Sequence, residues 1–255
     1  MKIKEFVSLL ENFAPLKLSS DFVKLINGYD NSGVIVDLKE DITGVVFSLD
    51  LTKKAVDTAI EKGYNLIVTH HPAIYAPISN VSADSPIYLA ISNKIGVISF
   101  HLNLDCAKEG IDYCLAKGLG ATSQDIMLSL GDSVGYGRFF SVKEQTFNDF
   151  VESFKKEFNS NKVLAYGNLD DKIKNIASFC GSGLDEQTIL NSTSADVLVS
   201  SDVKHHLILL ANSLNKKLMV ITHYSSEFYG FKHFYKNIIS DLKFGTILVE
   251  EEYYF

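Results

Sequence analysis

The stretch NLIVTHHPAIY, Asn65 to Tyr75, closes an apolar run with two adjacent histidines and a proline. Histidine is a poor core residue, whereas its neutral imidazole is a common metal ligand and base. Two other apolar runs end in the same fashion. VISF leads into His101 with Asp105 four residues on, and VIT leads into His223 with Glu227 four residues on. Imidazoles and carboxylates together make a mixed N/O donor set. Such a set suits Zn, Fe, Mn, Co or Ni better than Mg or Ca, which prefer oxygen shells.

Spacing sharpens this reading. Successive side chains of a strand point to opposite faces, so His70 and His71 within a regular strand could not share one ion. Past the strand end the pleat no longer holds, and Pro72 biases His71 towards extended backbone. The two rings can then turn towards two ions lying side by side. In the other two fragments the His-x-x-x-acid spacing places both groups on one face of a helical turn. A carboxylate can bridge two cations and offset the repulsion between ions roughly 3.5–4 Å apart. Either Asp105 or Glu227 could supply that bridge. His101 is either a ligand or a group that orients a ligand or the attacking water from behind.

Three strands must deliver these residues to one edge. TGVVFSL (Thr43 to Leu49), NLIVTH (Asn65 to His70) and KIGVISFH (Lys94 to His101) are almost continuously apolar, as strands buried on both faces are. LTKKAVDTAIEKG and SPIYLAISNK alternate with them as helices. Ala55 and Ile60 turn towards the sheet and Gly63 serves as C-cap. A second set follows, with RFFSV, KVLAYG, KIKNIASFC, ADVLVSS, KLMVITH and GTILVEE as strands and FNDFVESFKKEF and VKHHLILLANSLN as helices. Alternation of this kind predicts an α/β protein in which ligands bind beyond the carboxyl ends of the strands. The segment ATSQDIMLSLGDSVGYGR separates the two sets, which places a boundary near residue 125, between lobes 1–125 and 126–255.

Bulk properties exclude several classes. With 255 residues, 46% of them hydrophobic, the chain can bury one large core or two small ones. Its 24 basic and 31 acidic residues give a net charge of −7, which opposes nonspecific nucleic-acid binding. The cysteines, Cys106, Cys114 and Cys180, form no CxxC pair, so a disulfide framework is not indicated and a reducing cytoplasm is the expected setting. No apolar run reaches the about 18 residues of a membrane span. In MKIKEFVSLLENF the residues Ile3, Phe6, Val7, Leu10 and Phe13 recur at helical spacing, as in an amphipathic helix of the fold rather than a signal peptide.

The chain also resembles a known family, the dinuclear metal-centre proteins described as GTP cyclohydrolase I type 2 homologues. The resemblance runs nearly end to end, through DNSG (Asp30 to Gly33), THHP (Thr69 to Pro72), HLNLD with GIDYCLAKGLG (His101 to Gly120), GYGR (Gly135 to Arg138), CGSG (Cys180 to Gly183), SDVKHH (Ser201 to His206) and HYSSE (His223 to Glu227). It implies metal ligands at His70, His71, Asp105, His223 and Glu227, with Glu227 as bridge; the candidate catalytic residues are Glu227 and, from the reading of the residues above, His101. It implies two divalent transition-metal ions in the cleft between two α/β lobes with mixed sheets, and a ring-shaped homohexamer. The length is that of the short form without an inserted domain. The activity implied is GTP cyclohydrolase-like hydrolysis, in which water activated by metal attacks C8 of guanine and formate leaves. A phosphoesterase acting on a nucleotide or other phosphorylated metabolite needs the same core, and a non-enzymatic metal-binding or regulatory scaffold is the alternative outside catalysis.

Other features have plainer readings. Val203, His206, Leu207, Leu210 and Leu214 share a helical stripe, which makes His206 a core or site-lining residue. Asp202 stands where a helix N-cap belongs. CGSG is either a tight turn or a phosphate cradle. DNSG is a turn whose Asp30 and Asn31 could reach a substrate. Arg138 could clamp a phosphate or form an intersubunit salt bridge. The run EEEYYF at the end of the chain reads as an edge strand or interface piece.

Overall fold

The computed structural model describes residues 1–240 and 242–251. The chain gathers into two compact units, one of Met1–Ala107 with the segment from Phe231 onward, the other of Lys108–Gly230. It therefore does not divide into consecutive halves at residue 125, which lies inside the second unit at the start of a strand. Among the described residues, no helix is long and apolar enough to cross a membrane.

The first unit opens with α1 (Ile3–Glu11), which buries Ile3, Phe6 and Leu10 as the helical spacing predicts, and α2 (Lys17–Ile26). There follow β1 (Gly33–Val36), β2 (Gly44–Ser48), α3 (Lys53–Lys62), β3 (Leu66–Thr69), α4 (Pro86–Ser92), β4 (Gly96–Ser99) and the short α5 (Leu102–Cys106). Strands β2, β3 and β4 run parallel and in register, with Ser48 beside Thr69 and Thr69 beside Ser99. All three are buried throughout, so their unbroken apolar runs reflect a sheet covered on both faces. The Thr52 hydroxyl accepts from Ala55 N–H at the start of α3, and Gly63 ends that helix at φ 66°. The helix buries Ala55, Val56 and Ala59, which pack with Val46, Ile67 and Val97. Ile60 lies about 100° round from Ala59 and is exposed, contrary to the expected sheet-facing position.

The second unit contains α6 (Ile111–Gly118), β5 (Asp125–Gly131), β6 (Val134–Thr146), α7 (Phe147–Glu157), β7 (Val163–Tyr166), β8 (Lys172–Ser178), α8 (Glu186–Asn191), β9 (Val197–Ser200), α9 (His205–Ser213), β10 (Lys217–Ile221) and the start of α10 (His223–Ile239). Its sheet runs β5-β6-β8-β9-β10-β7, with the neighbours β8, β9 and β10 parallel and the flanking strands antiparallel. The chain then leaves for β11 (Gly245–Val249), which adds in parallel to β2 at the edge of the first sheet, giving β1-β4-β3-β2-β11. GTILV thus belongs to the first sheet and not to the second set of strands. Phe231 and Phe234 on α10 cover the sheet face that carries Phe47. In the terminal run EEEYYF, Glu250 and Glu251 lie past β11 and the rest falls outside the described residues.

Arg138 on β6 is 1% exposed, with its Nε 3.9 Å from Asp112 Oδ2 on α6. A guanidinium enclosed in this way serves neither as an open phosphate clamp nor as a bridge to another subunit. Burial raises the Asp112 pKa to about 6, against the opposing pull of Arg138 and the N–H groups of Cys180 and Gly137. A carboxyl raised on folding stabilises the fold below its unfolded pKa near 3.9 and loses that contribution as pH rises through the folded value. Wild type should therefore lose urea stability relative to Asp112→Asn between pH about 4 and 7. A difference between the two that stays constant over that range would contradict the assignment.

Candidate metal centre

In the first unit, the carboxyl ends of β2, β3 and β4 lead directly to Asp50, to His70 and His71, and to His101. The pleat does end where the sequence requires: the N–H groups of both His70 and His71 donate to the carbonyl of Leu49, at 3.1 and 3.0 Å. The Thr69 hydroxyl donates to the His71 carbonyl at 2.8 Å, which fixes the turn. The ring planes of His70 and His71 then stand 49° apart, with centroids 4.8 Å apart. His101 joins them, its centroid 5.1 Å from that of His70. One nitrogen from each of the three rings lies within 4.8 Å of the others.

Each imidazole is held through its Nδ1. That of His70 is 2.9 Å from the carbonyl oxygen of Phe100. A carbonyl can only accept, so this Nδ1 carries the proton and Nε2 carries the lone pair. His71 Nδ1 donates to Asp50 Oδ1 at 2.6 Å, and His101 Nδ1 donates to Asp30 Oδ1 at 2.7 Å. Burial pushes the Asp30 carboxyl up, but His101 and the hydroxyls of Ser19 and Ser32 outweigh it and bring the pKa down to about 2. Asp30 is therefore a fixed anion behind His101 rather than a substrate contact. Asn31 is likewise engaged, donating to the Ile74 carbonyl at 2.6 Å. Asp105, on α5, brings Oδ1 to 3.5 Å from His70 Nε2, and both side chains are buried. That matches the about 3.4 Å between two N/O ligands of one tetrahedral ion with bonds near 2.1 Å.

The second unit repeats the device. The carboxyl ends of β8, β9 and β10 lead to Gly181, Asp202 and His223. His223 Nδ1 donates to Asp202 Oδ2 at 2.5 Å, 21 residues away, the same interval that separates Asp50 from His71. Its Nε2 faces Glu227 Oε1 at 2.9 Å, one turn further along α10, as the His-x-x-x-acid spacing predicts. Glu227 is buried at 2% exposure. Asp202 is accordingly not a helix N-cap: α9 starts after Lys204, and the carboxylate orients His223 instead. The CGSG segment resolves as the turn. Gly181 has φ +55°, its N–H donates to Ser226 Oγ at 2.9 Å, and Cys180 N–H donates to Asp112 at 3.1 Å, so these donors are engaged within the protein. A Cβ at Gly181 would stand 2.4 Å from Glu227 Oε1 and 3.2 Å from His223 Nε2. Glycine is thus required by the His223–Glu227 pair as well as by the backbone. His206 is no core residue. Its side chain is 57% exposed, 3.8 Å from Glu186.

These two donor sets fit divalent transition metals: imidazoles with a defined tautomer, carboxylates beside them, and an oriented partner behind every ring. A model of the Duf34/NIF3 (NGG1p interacting factor 3) family matches residues 1–252. The chain belongs to this family. Among curated DUF34/NIF3 relatives, it is 31% identical to the "GTP cyclohydrolase 1 type 2 homolog" of Methanocaldococcus jannaschii, over 98% of this chain and all (100%) of that one. It is 30% identical to the protein of the same description from Clostridium acetobutylicum, over 89% of this chain and 85% of that one. Among solved structures, Staphylococcus aureus protein SA1388 aligns with a TM-score of 0.86 at 27% identity, covering 98% of this chain and 97% of that one. HcgD from M. jannaschii aligns with a TM-score of 0.81 at 30% identity, covering 98% of each chain.

The sequence named His70, His71, His101, Asp105, His223 and Glu227 but missed the partners Asp30, Asp50 and Asp202 as orienting groups. The available signal was the repeated pattern of Ser-x-Asp after one strand and a histidine 21 residues later, after the next. Replacing Asp50 or Asp202 with Ala should weaken metal affinity by about 10–100-fold in a chelator-competition titration while leaving the thermal transition of metal-free protein close to wild type. Unchanged affinity in both variants would show that these carboxylates do not act through their histidines.

Proposed function

We propose that this DUF34/NIF3 protein is a metal-dependent hydrolase of a small molecule, in which the two donor sets are halves of one centre for two divalent transition-metal ions. The observation that carries this reading is the hold on Nδ1 of His70, His71, His101 and His223, which turns ring Nε2 atoms towards carboxylates, His70 to Asp105 at 3.5 Å and His223 to Glu227 at 2.9 Å. His70, His71 and Asp105 would ligate from the first unit, and His223 and Glu227 from the second. Glu227 has two carboxylate oxygens and sits one turn into a helix that fixes its direction, which suits a bridging role. His101, backed by the Asp30 anion, is placed to ligate or to hold a proton at Nε2 during turnover. Divalent ions bound there would lower the pKa of water towards neutrality and polarise the electrophile.

The description shared by the relatives favours a GTP cyclohydrolase-like reaction, hydrolysis at guanine C8 of GTP with release of formate. Protein purified anaerobically, with its metals measured, should release formate from GTP or from a related purine nucleotide. Release of inorganic phosphate instead would make it a phosphoesterase, and loaded protein without turnover on either class would mark a metal-binding scaffold. Glu227→Gln should lose most of its bound metal by elemental analysis, whereas His206→Gln should retain it. Equal losses in the two variants would remove Glu227 from the centre.

A further inference from the structure

A cavity of about 600 Å³ opens in the second unit beside α8 and α9, lined in part by Ser182, Leu184, Gln187, Asp202, Lys204 and Leu207. Its volume lies within the usual range for small-molecule sites, about 300–1,000 Å³. It adjoins the donor set at two points. Asp202, which is part of the lining, accepts from His223 Nδ1, and Ser182 follows Gly181, the residue pressed against Glu227 and His223. Leu184 and Leu207, both buried, and Leu190, half exposed, supply its apolar lining. Among the described residues, Ser182 Oγ and Lys204 Nζ make no hydrogen bond or ion pair within the protein, so both remain open to a ligand.

Charge decides which ligand fits. The wall carries three carboxylates, Asp185, Glu186 and Asp202, against Lys204 and the imidazole of His206. Asp185 caps its own helix through Thr188 N–H at 2.7 Å, and Asp202 is taken by His223. Even so, the excess of negative charge opposes a phosphate in this space. An uncharged ring meets no such opposition. Its flat face would rest on Leu184 and Leu207, its acceptors would meet Lys204 and Ser182, and its N–H donors would meet Glu186 and the Gln187 side-chain carbonyl.

We propose that this cavity seats the uncharged heterocyclic end of the substrate, a nucleobase-like ring bearing both donors and acceptors. The inference rests on the hydrolase reading only in treating the bound molecule as substrate, and binding can be measured apart from turnover. The test is calorimetric titration of the full chain, metal-free and metal-loaded, with guanosine, adenosine, uridine and ribose 5-phosphate. At least one nucleoside should bind, and ribose 5-phosphate, which lacks the ring, should not. Lys204→Ala and Leu190→Asp, both at exposed positions that tolerate change, should weaken nucleoside binding at least tenfold with metal content and thermal transition unchanged. No nucleoside binding, binding indifferent to both variants, or binding of ribose 5-phosphate alone would overturn the proposal. Cavity-dependent nucleoside binding without turnover of any nucleotide would instead sink the hydrolase reading alone. Turnover that neither variant alters would sink the cavity alone.

Discussion

An imidazole has two nitrogens, and in this protein one of them is spoken for at every candidate ligand. Two aspartates and a backbone carbonyl hold Nδ1 of His71, His101 and His70 in the first unit, and a third aspartate holds that of His223 in the second. The consequence is electronic as well as geometric. A proton fixed on Nδ1 leaves the Nε2 lone pair available, and a carboxylate behind the ring raises its basicity. Without those partners each ring could turn about its side-chain bonds or reverse its tautomer, and the strand ends would deliver histidines without delivering ligands.

The sheets exist, in this view, to bring those partners within reach. Parallel strands in register end at one level, so an acid leaving one strand stands beside a histidine leaving its neighbour. Asp50 follows β2 and meets His71 after β3, and Asp202 follows β9 and meets His223 after β10. Each pair spans 21 residues because each encloses the same construction, a turn, a helix and the next parallel strand. Burial of the strands on both faces keeps the sheet rigid, and small residues clear the space around the donors. Gly181 is the sharpest case, since any side chain there would displace the Glu227 carboxylate.

Much of this was legible from residue types and spacing. The three parallel strands of the first unit, the helices between them and the gathering of histidines and acids at strand ends could be read because apolar runs and His-acid intervals are local signals. What escaped depends on contacts that no local pattern carries. GTILV reads as one more strand, but nothing within those residues says that it pairs with β2, about two hundred positions earlier. Asp202 satisfies the local rule for a helix cap, and only the neighbouring strand end reveals its use as a brace for His223. Arg138 reads as a functional cation because it is the one arginine of the sequence, yet it lies buried beside Asp112 within the second unit. His206 fits an apolar stripe by spacing, but α9 buries only Leu207 and Ala211 and leaves the imidazole outward.

The central claim is that donors from two separate parts of the chain share one pair of ions. Anomalous diffraction from crystals grown with a saturating transition metal tests it most directly. The account predicts two peaks about 3.5–4 Å apart, with His70 and Asp105 beside one, His71 and His223 beside the other, and Glu227 in contact with both. Single isolated peaks, each bound by donors of one unit alone, would contradict it.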